Sequence, residues 1–301
     1  MPSLPNTIIL ICGPTAVGKT ALAIKLAQHF NTEIISADSR QCFRELNIGV
    51  AKPSSDELSL IKHHFINSHS IHDEVNAAVF ETYALKEAAA IFTRNPIAVM
   101  VGGTGLYIKA FTEGLDDVPN VDPLVRQKIM QQYETFGLPF LQNEIQQNDP
   151  VFWNVAEQQN PQRLMRALEV LQSTGKSITE FRKGNKQQRD FRIIQIGLEL
   201  PREILYQQIN NRVEVMMENG LLPEVESLLP FRHLNALQTV GYRELFPVFD
   251  ESASLQTAVE LIKINTRHYA KRQMTWFKRD EKTVWFNAHQ LDLVSQIMPL
   301  V

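Results

Sequence analysis

The 301-residue chain is poor in cysteine, in long apolar runs and in net charge. Its only cysteines, Cys12 and Cys42, cannot build a disulfide framework or a four-ligand zinc site, and a reducing cytosol is the simple reading. No stretch approaches the roughly 18 consecutive apolar residues of a membrane-spanning helix. The opening Met1–Asn6 has no basic n-region, and the apolar run Ile8–Cys12 is too short for a signal-peptide core. A cytoplasmic chain with no membrane association is therefore expected. The formal net charge is −3, so any surface for a polyanion must be local. There is no internal repeat and no low-complexity tract. What is present is ordinary for a globular protein: 44% hydrophobic and 21% charged residues, enough for a sizeable core. The length suggests two domains, or one carrying a large insertion.

Thr7-Ile-Ile-Leu-Ile-Cys12 is an unbroken β-branched and apolar run, the pattern of a strand buried on both faces. After a glycine-containing turn, Thr20–Ala27 predicts a buried helix. Glu33–Ala37 reads as a second strand ending at Asp38, Ala77–Thr93 as a helix, and Pro96–Val101 as a third buried strand running into Gly102-Gly103-Thr104-Gly105. Such alternation predicts a parallel sheet flanked by helices. From Asp116 to Pro123 the chain is punctuated like a linker. Residues 118–191 are then rich in Gln, Asn and helix formers. Strand patterning returns at Arg192–Leu198, followed by helices at Tyr206–Met217 and Ser254–Arg279 and a short strand at Thr283–Phe286. The expected architecture is a P-loop NTPase-like α/β core, discontinuous over 1–117 and 192–301, with a mainly helical insertion domain over 118–191.

Gly13-Pro14-Thr15-Ala16-Val17-Gly18-Lys19-Thr20 matches G-x-x-x-x-G-K-[ST] between a buried strand and a helix. Backbone N–H groups of such a loop converge on one spot, and the helix dipole adds partial positive charge there. Lys19 offers a full cation to phosphate oxygens and Thr20 a hydroxyl to Mg²⁺. Gly13 and Gly18 let the backbone come close. The motif specifies a diphosphate-like group and leaves the chemistry open. The third strand carries no acid at its end, unlike many P-loop NTPases, so Asp38 is the acid of the early strands, as metal holder or base.

Two segments are locally basic. Lys263–Arg279 holds Lys263, Arg267, Lys271, Arg272, Lys278 and Arg279 with no acid, a local charge of +6 interleaved with Tyr269, Trp276 and Phe277. Lys263, Arg267 and Lys271 share a helical face. Lys176–Arg192 carries a net +4. Either is a solvated face or an RNA-backbone contact, and the aromatics favour RNA for the first. His63, His64, His69 and His72 lack ligand spacing and read as structural.

Together these blocks resemble the tRNA dimethylallyltransferase family. The P-loop, Asp38-Ser39-Arg40-Gln41, Ile48–Pro53, Val101–Tyr107, Asn160–Arg163 with Arg166–Val170, Gln238–Arg243 and Lys271–Trp276 stand in the family's order. Val50 departs from a usual Thr, and Cys42-Phe43 from a usual Val-Tyr. The eukaryotic zinc-finger extension is absent, the bacterial-type pattern. The resemblance implies transfer of a dimethylallyl group from dimethylallyl diphosphate to the N6 amine of the adenosine 3′-adjacent to the anticodon. It implies residues 13–20 on the diphosphate, with Lys19 and Arg212 as cations and Mg²⁺ at Thr20. It implies Asp38 as general base, assisted by Thr104, at the carboxyl ends of the strands where α/β sheets bind ligands. Read from residue type alone, Asp38 could equally be an N-cap or a second-shell acid of Mg²⁺, Thr104 a turn former, and Arg212 a surface arginine. The tRNA contacts implied are Asp38, Ser39, Arg40, Gln41, Thr104, Arg126, Gln162, Arg163, Arg166, Gln238, Gly241, Tyr242, Arg243, Lys271, Arg272, Gln273 and Trp276, with the insertion gripping the anticodon stem-loop. The target base must be flipped from its stack, at a few kcal/mol. A cytoplasmic monomer is expected. The rivals are a small-metabolite P-loop kinase, an isopentenyltransferase of free adenine nucleotides, and a non-catalytic RNA binder with a vestigial loop. The first two need no insertion of this size, and Lys19, Thr20 and Asp38 disfavour the third.

Overall fold

The computed structural model describes residues 5–184 and 186–301; the expectation made for Met1–Asn6 falls largely outside them. The chain divides into two compact units, residues 1–113 with 188–301, and residues 114–187.

The first unit opens with β1 (Thr7–Cys12), α1 (Lys19–His29), β2 (Ile34–Ala37), α2 (Ser55–Leu60), β3 (His63–His64), α3 (Ala77–Phe92), β4 (Ile97–Gly102) and α4 (Gly105–Glu113). The second contains α5 (Pro123–Asn148), α6 (Pro150–Trp153), α7 (Pro161–Thr174) and α8 (Ile178–Phe181). The first unit then resumes with β5 (Arg192–Glu199), α9 (Arg202–Glu218), α10 (Leu221–Leu228), α11 (Phe246–Phe249), α12 (Leu255–Phe277), β6 (Val284–Asn287) and α13 (Leu293–Ile297). The six strands form one sheet in the order β3-β2-β4-β1-β5-β6, and every pairing is parallel. β1 lies between β4 and β5, with Ile9 opposite Val99 on one side and Ile194 on the other. This central place explains its unbroken apolar sequence, since all six residues are buried. The crossovers put helices on the sheet, and Leu22, Leu26, Leu205 and Ile209 pack on Ile9, Val99 and Ile196.

The second unit is all-helical around Ile129, Leu141, Ile145, Phe152, Leu164 and Leu168. Asn160 caps α7 through Arg163 N–H, and Asp149 caps α6 through Phe152 N–H. α5 breaks at Gly137, whose φ of 67° is left-handed. The unit ends a few residues earlier on each side than the composition suggested. Arg189 Nε donates to Phe111 O at 2.8 Å, Arg189 Nη2 pairs with Glu81 at 2.6 Å, and Phe191 stacks on Phe111. These contacts tie the segment after residue 187 to the sheet unit.

The histidines have separate partners. Buried His64 on β3 bridges Glu33 at 2.6 Å and Glu87 at 2.9 Å, while His69 Nδ1 meets Ser68 Oγ. Among the described residues, no three His, Cys, Asp or Glu side chains cluster as a metal site. No helix among them is long and apolar enough to cross a membrane.

The loop after β2 is held by one carboxylate. Glu224 of α10 accepts from the N–H groups of Asn47, Ile48 and Gly49 and from the hydroxyl of Tyr242, the last at 2.6 Å. The Tyr242 ring is fully buried against Gly49, where a Cβ would overlap it. Removing the acceptor strands these donors, so Glu224→Ala is expected to lower unfolding stability by about 1–3 kcal/mol, read as a fall in the urea midpoint at unchanged m-value.

Candidate active site

Three strands deliver their carboxyl ends to one edge of the parallel sheet: β1 with the glycine loop, β2 with Asp38, and β4 with Thr104. β2 and β4 are neighbours, with Ala37 opposite Gly102. A Cβ on Gly102 would overlap the Ala37 backbone, so glycine sets the close approach of the two strand ends.

The loop has the backbone that its sequence predicts. Gly13 has φ 141° and Gly18 φ 97°, and a Cβ on Gly13 would lie 2.5 Å from Leu198 O. Ala16, which has a Cβ, also adopts a positive φ of 66°, local strain of the kind that accumulates at ligand clamps. Lys19 Nζ donates to Pro14 O at 2.7 Å. Arg212 Nη1 of α9 reaches Thr15 Oγ1 at 3.3 Å. Burial and the nearby Arg212 lower the Lys19 ammonium to about 8, against the opposing pull of Asp38. Burial likewise lowers Arg212. Two desolvated cations beside converging N–H groups make a hole suited to an anion.

Asp38 is clamped in an Asx turn: its Oδ1 accepts from Arg40 N–H at 2.8 Å and Gln41 N–H at 3.2 Å. Thr104 stands beside it. Ser39 N–H donates to Thr104 Oγ1 at 3.1 Å, and Thr104 Oγ1 donates to Ser39 Oγ at 3.3 Å. Tyr269 on α12 stands near Thr104, and burial first and then Asp38 push its phenol up to about 12. Arg40 Nη1 donates to Asn235 O at 2.8 Å. Gln41 Nε2 donates to Val50 O and Ala51 O.

The structure sorts the expected RNA contacts by exposure. Gln238, Arg243, Lys271 and Arg272 are exposed, and so are Arg126, Gln162 and Arg163 in the helical unit. Gly241, Tyr242 and Gln273 are buried, with Tyr242 spent on Glu224 and Gln273 on two backbone groups. The α12 basic stripe also narrows. Lys263 is paired with Glu214 and Glu260, Arg267 with Asn210, and Lys278 with Glu199. In the segment 176–192, Arg189 is consumed by Glu81, and Arg192 by the carbonyls of Leu300 and Val301. Within the helical unit Arg182 is lowered by burial and then by neighbouring Arg163 and Arg166, a crowding of cations. Buried Glu169 meets Arg126 at 3.8 Å and Arg166 at 3.5 Å.

Tyr269 was read from sequence only as an interleaved aromatic. Its spacing to Gln273 and Trp276, four and then three residues, was the available signal, since it puts all three on one helical face. Gly103 and Gly105 are where a Cβ would overlap Gln273 and Trp276 respectively.

A glycine loop at the end of a central parallel strand, with a lysine and a helix N-terminus around it, defines an α/β protein of the P-loop type. The sequence model described as IPP transferase matches residues 41–280, and the chain belongs to that family. It is 50% identical over 283 residues to the tRNA dimethylallyltransferase of Christiangramia forsetii, covering 94% of each chain. It is 49% identical to that of Flavobacterium psychrophilum, again covering 94% of each. Among solved structures, the full-length tRNA isopentenylpyrophosphate transferase of Bacillus halodurans matches with TM-score 0.70 and 32% identity, over 98% of this chain and 94% of that one. A eukaryotic dimethylallyltransferase acting on tRNA matches with TM-score 0.74 and 28% identity, over 97% and 77%.

An anion placed beside Lys19 raises its ammonium back toward the ordinary 10.5. Binding of diphosphate above about pH 8 should therefore take up a proton, and affinity should fall as pH rises through the free-state value. Calorimetry at about pH 9 in buffers of different ionisation enthalpy checks this: uptake is expected in wild type and absent in Lys19→Met.

Proposed function

We propose that this protein transfers a dimethylallyl group from dimethylallyl diphosphate to the N6 amine of the adenosine 3′-adjacent to the anticodon of tRNA, releasing diphosphate. The carrying observation is the pair of desolvated cations, Lys19 and Arg212, at a loop that neighbours Asp38 and Thr104. As the allylic C–O bond breaks, negative charge grows on the leaving diphosphate. Loop N–H groups, Lys19 and Arg212 stabilise that charge. In the free loop Lys19 donates to Pro14 O; it exchanges this carbonyl for a phosphate oxygen. Gly13–Thr20 as a whole encloses the group.

The N6 amine forms its bond to carbon and gives up a proton. Asp38 takes that proton: its Oδ1 is held by two N–H donors, leaving Oδ2 for the amine. Thr104, oriented by Ser39, hydrogen-bonds the reacting group. Ser39, Arg40 and Gln41 line the place of the flipped base. Exposed Lys271, Arg272, Arg243 and Gln238 meet the RNA backbone. The helical unit, with Arg126, Gln162, Arg163 and Arg166, grips the anticodon stem-loop through contacts that set affinity and register. Trp276, Gln273, Gly241 and Tyr242 support this surface from within.

The donor set fits Mg²⁺ arriving with the diphosphate. Thr20 would supply a neutral oxygen to the ion, whose remaining ligands would be phosphate and water oxygens, as is usual for it. When bound, Mg²⁺ would offset charge on the leaving group. The chain acts as a cytoplasmic monomer in this reading, since tRNA and dimethylallyl diphosphate both reach it in solution.

The test is incubation with labelled dimethylallyl diphosphate, Mg²⁺ and unmodified tRNA, followed by digestion to nucleosides. Label is expected in the N6-modified adenosine. Lys19→Ala should abolish it, and Asp38→Asn should lower kcat by about 100-fold or more. An unlabelled nucleoside pool with ATP turnover on a small acceptor would show that the family chemistry is wrong for this chain.

A further inference from the structure

We infer that Gln273 is a positioning residue that holds the diphosphate loop against the Gly102–Gly105 turn, an inference that rests on the function proposed above. Gln273 lies in the basic block of α12, yet it is only 5% exposed. Its Oε1 accepts from Thr15 N–H at 2.7 Å, and its Nε2 donates to Gly103 O at 2.9 Å. An N–H partner on one side and a carbonyl on the other fix the amide orientation, because the flipped amide would put like against like at both ends.

One peptide plane is held from both sides. The carbonyl of the Pro14–Thr15 peptide accepts from Lys19 at 2.7 Å, and its N–H donates to Gln273. When Lys19 leaves that carbonyl for a phosphate, Gln273 is the contact that keeps the peptide from rotating and spoiling the convergence of the other N–H groups. The second bond is made to Gly103, the residue before Thr104. One side chain thus spans the leaving-group end of the reaction and the acceptor end, and fixes their separation, which a displacement of one group by another requires. Gly103 permits this, as a Cβ there would overlap the Gln273 amide. Lys271 and Arg272, the neighbours proposed above to meet RNA, are exposed, whereas Gln273 is buried.

The variants are Gln273→Ala and Gln273→Glu, assayed by steady-state kinetics and by calorimetry with inorganic diphosphate in the absence of RNA. Gln273→Ala should raise KM for dimethylallyl diphosphate and lower kcat, each roughly tenfold or more, with KM for tRNA nearly unchanged. Gln273→Glu keeps the shape. Ionised, it accepts from Thr15 but opposes Gly103 O and the diphosphate; protonated, it reproduces both bonds. Its affinity for inorganic diphosphate relative to wild type at the same pH should therefore recover as pH falls. A raised KM for tRNA with KM for dimethylallyl diphosphate unchanged would overturn the inference and make Gln273 an RNA contact. A pH-independent ratio for Gln273→Glu would overturn it as well, and this arm decides the matter if the alanine variant does not fold. Should wild type transfer no dimethylallyl group at all, the functional reading fails, while the diphosphate arm still judges Gln273.

Discussion

The constraint on which the structure depends is electrostatic: Lys19 and Arg212 are held part-buried beside a strained loop, where burial lowers both and Arg212 further lowers the Lys19 ammonium. An arrangement that holds two cations together in this way is costly. It persists because β1 is anchored on both sides by parallel partners and the loop is closed from outside. Leu198 O sits where a Gly13 Cβ would be, Gln273 holds Thr15, and Arg212 comes in from α9. A site made in this way favours an anion. In the proposed reading that anion is the leaving group, so the same forces that favour binding also favour bond breaking as charge accumulates on the diphosphate.

The acceptor side is built by different means, with local hydrogen bonds in place of paired cations. Asp38 is held by the N–H groups of Arg40 and Gln41, and Thr104 by Ser39, so the ends of β2 and β4 are joined. A base held by its own backbone and a hydroxyl held by its neighbour need little reorganisation. α12 joins both halves: one face carries buried Gln273 with half-buried Tyr269 and Trp276, and the exposed face Lys271 and Arg272.

Much of this was legible in the sequence, for physical reasons. β1 and β4 are buried along their whole length, so their apolar runs are unbroken, and the P-loop motif needs only its own residues and the flanking strand and helix. The short β3, His63–His64, exists by pairing with β2 and has no pattern of its own. α4 was hidden because it opens on Gly105, a poor helix former retained where the Trp276 ring leaves no room for a Cβ. The basic run of α12 looked uniformly free because Glu214 and Glu199, which pair with Lys263 and Lys278, come from distant segments. Gln273 stood among the RNA contacts implied by the family block Lys271–Trp276, and nothing in its own position along the chain marks it as buried. A linear pattern shows the charge of a segment, whereas the direction of one side chain between two charged ones depends on the packing of α12 against the two loops.

The most direct measurement follows the fate of the diphosphate during a single turnover. With dimethylallyl diphosphate carrying label in the terminal phosphate, and with no nucleoside triphosphate present, the account predicts one intact diphosphate released for each adenosine modified. Release of orthophosphate, or a requirement for ATP hydrolysis, would contradict the claim that the loop holds the leaving group of a prenyl transfer.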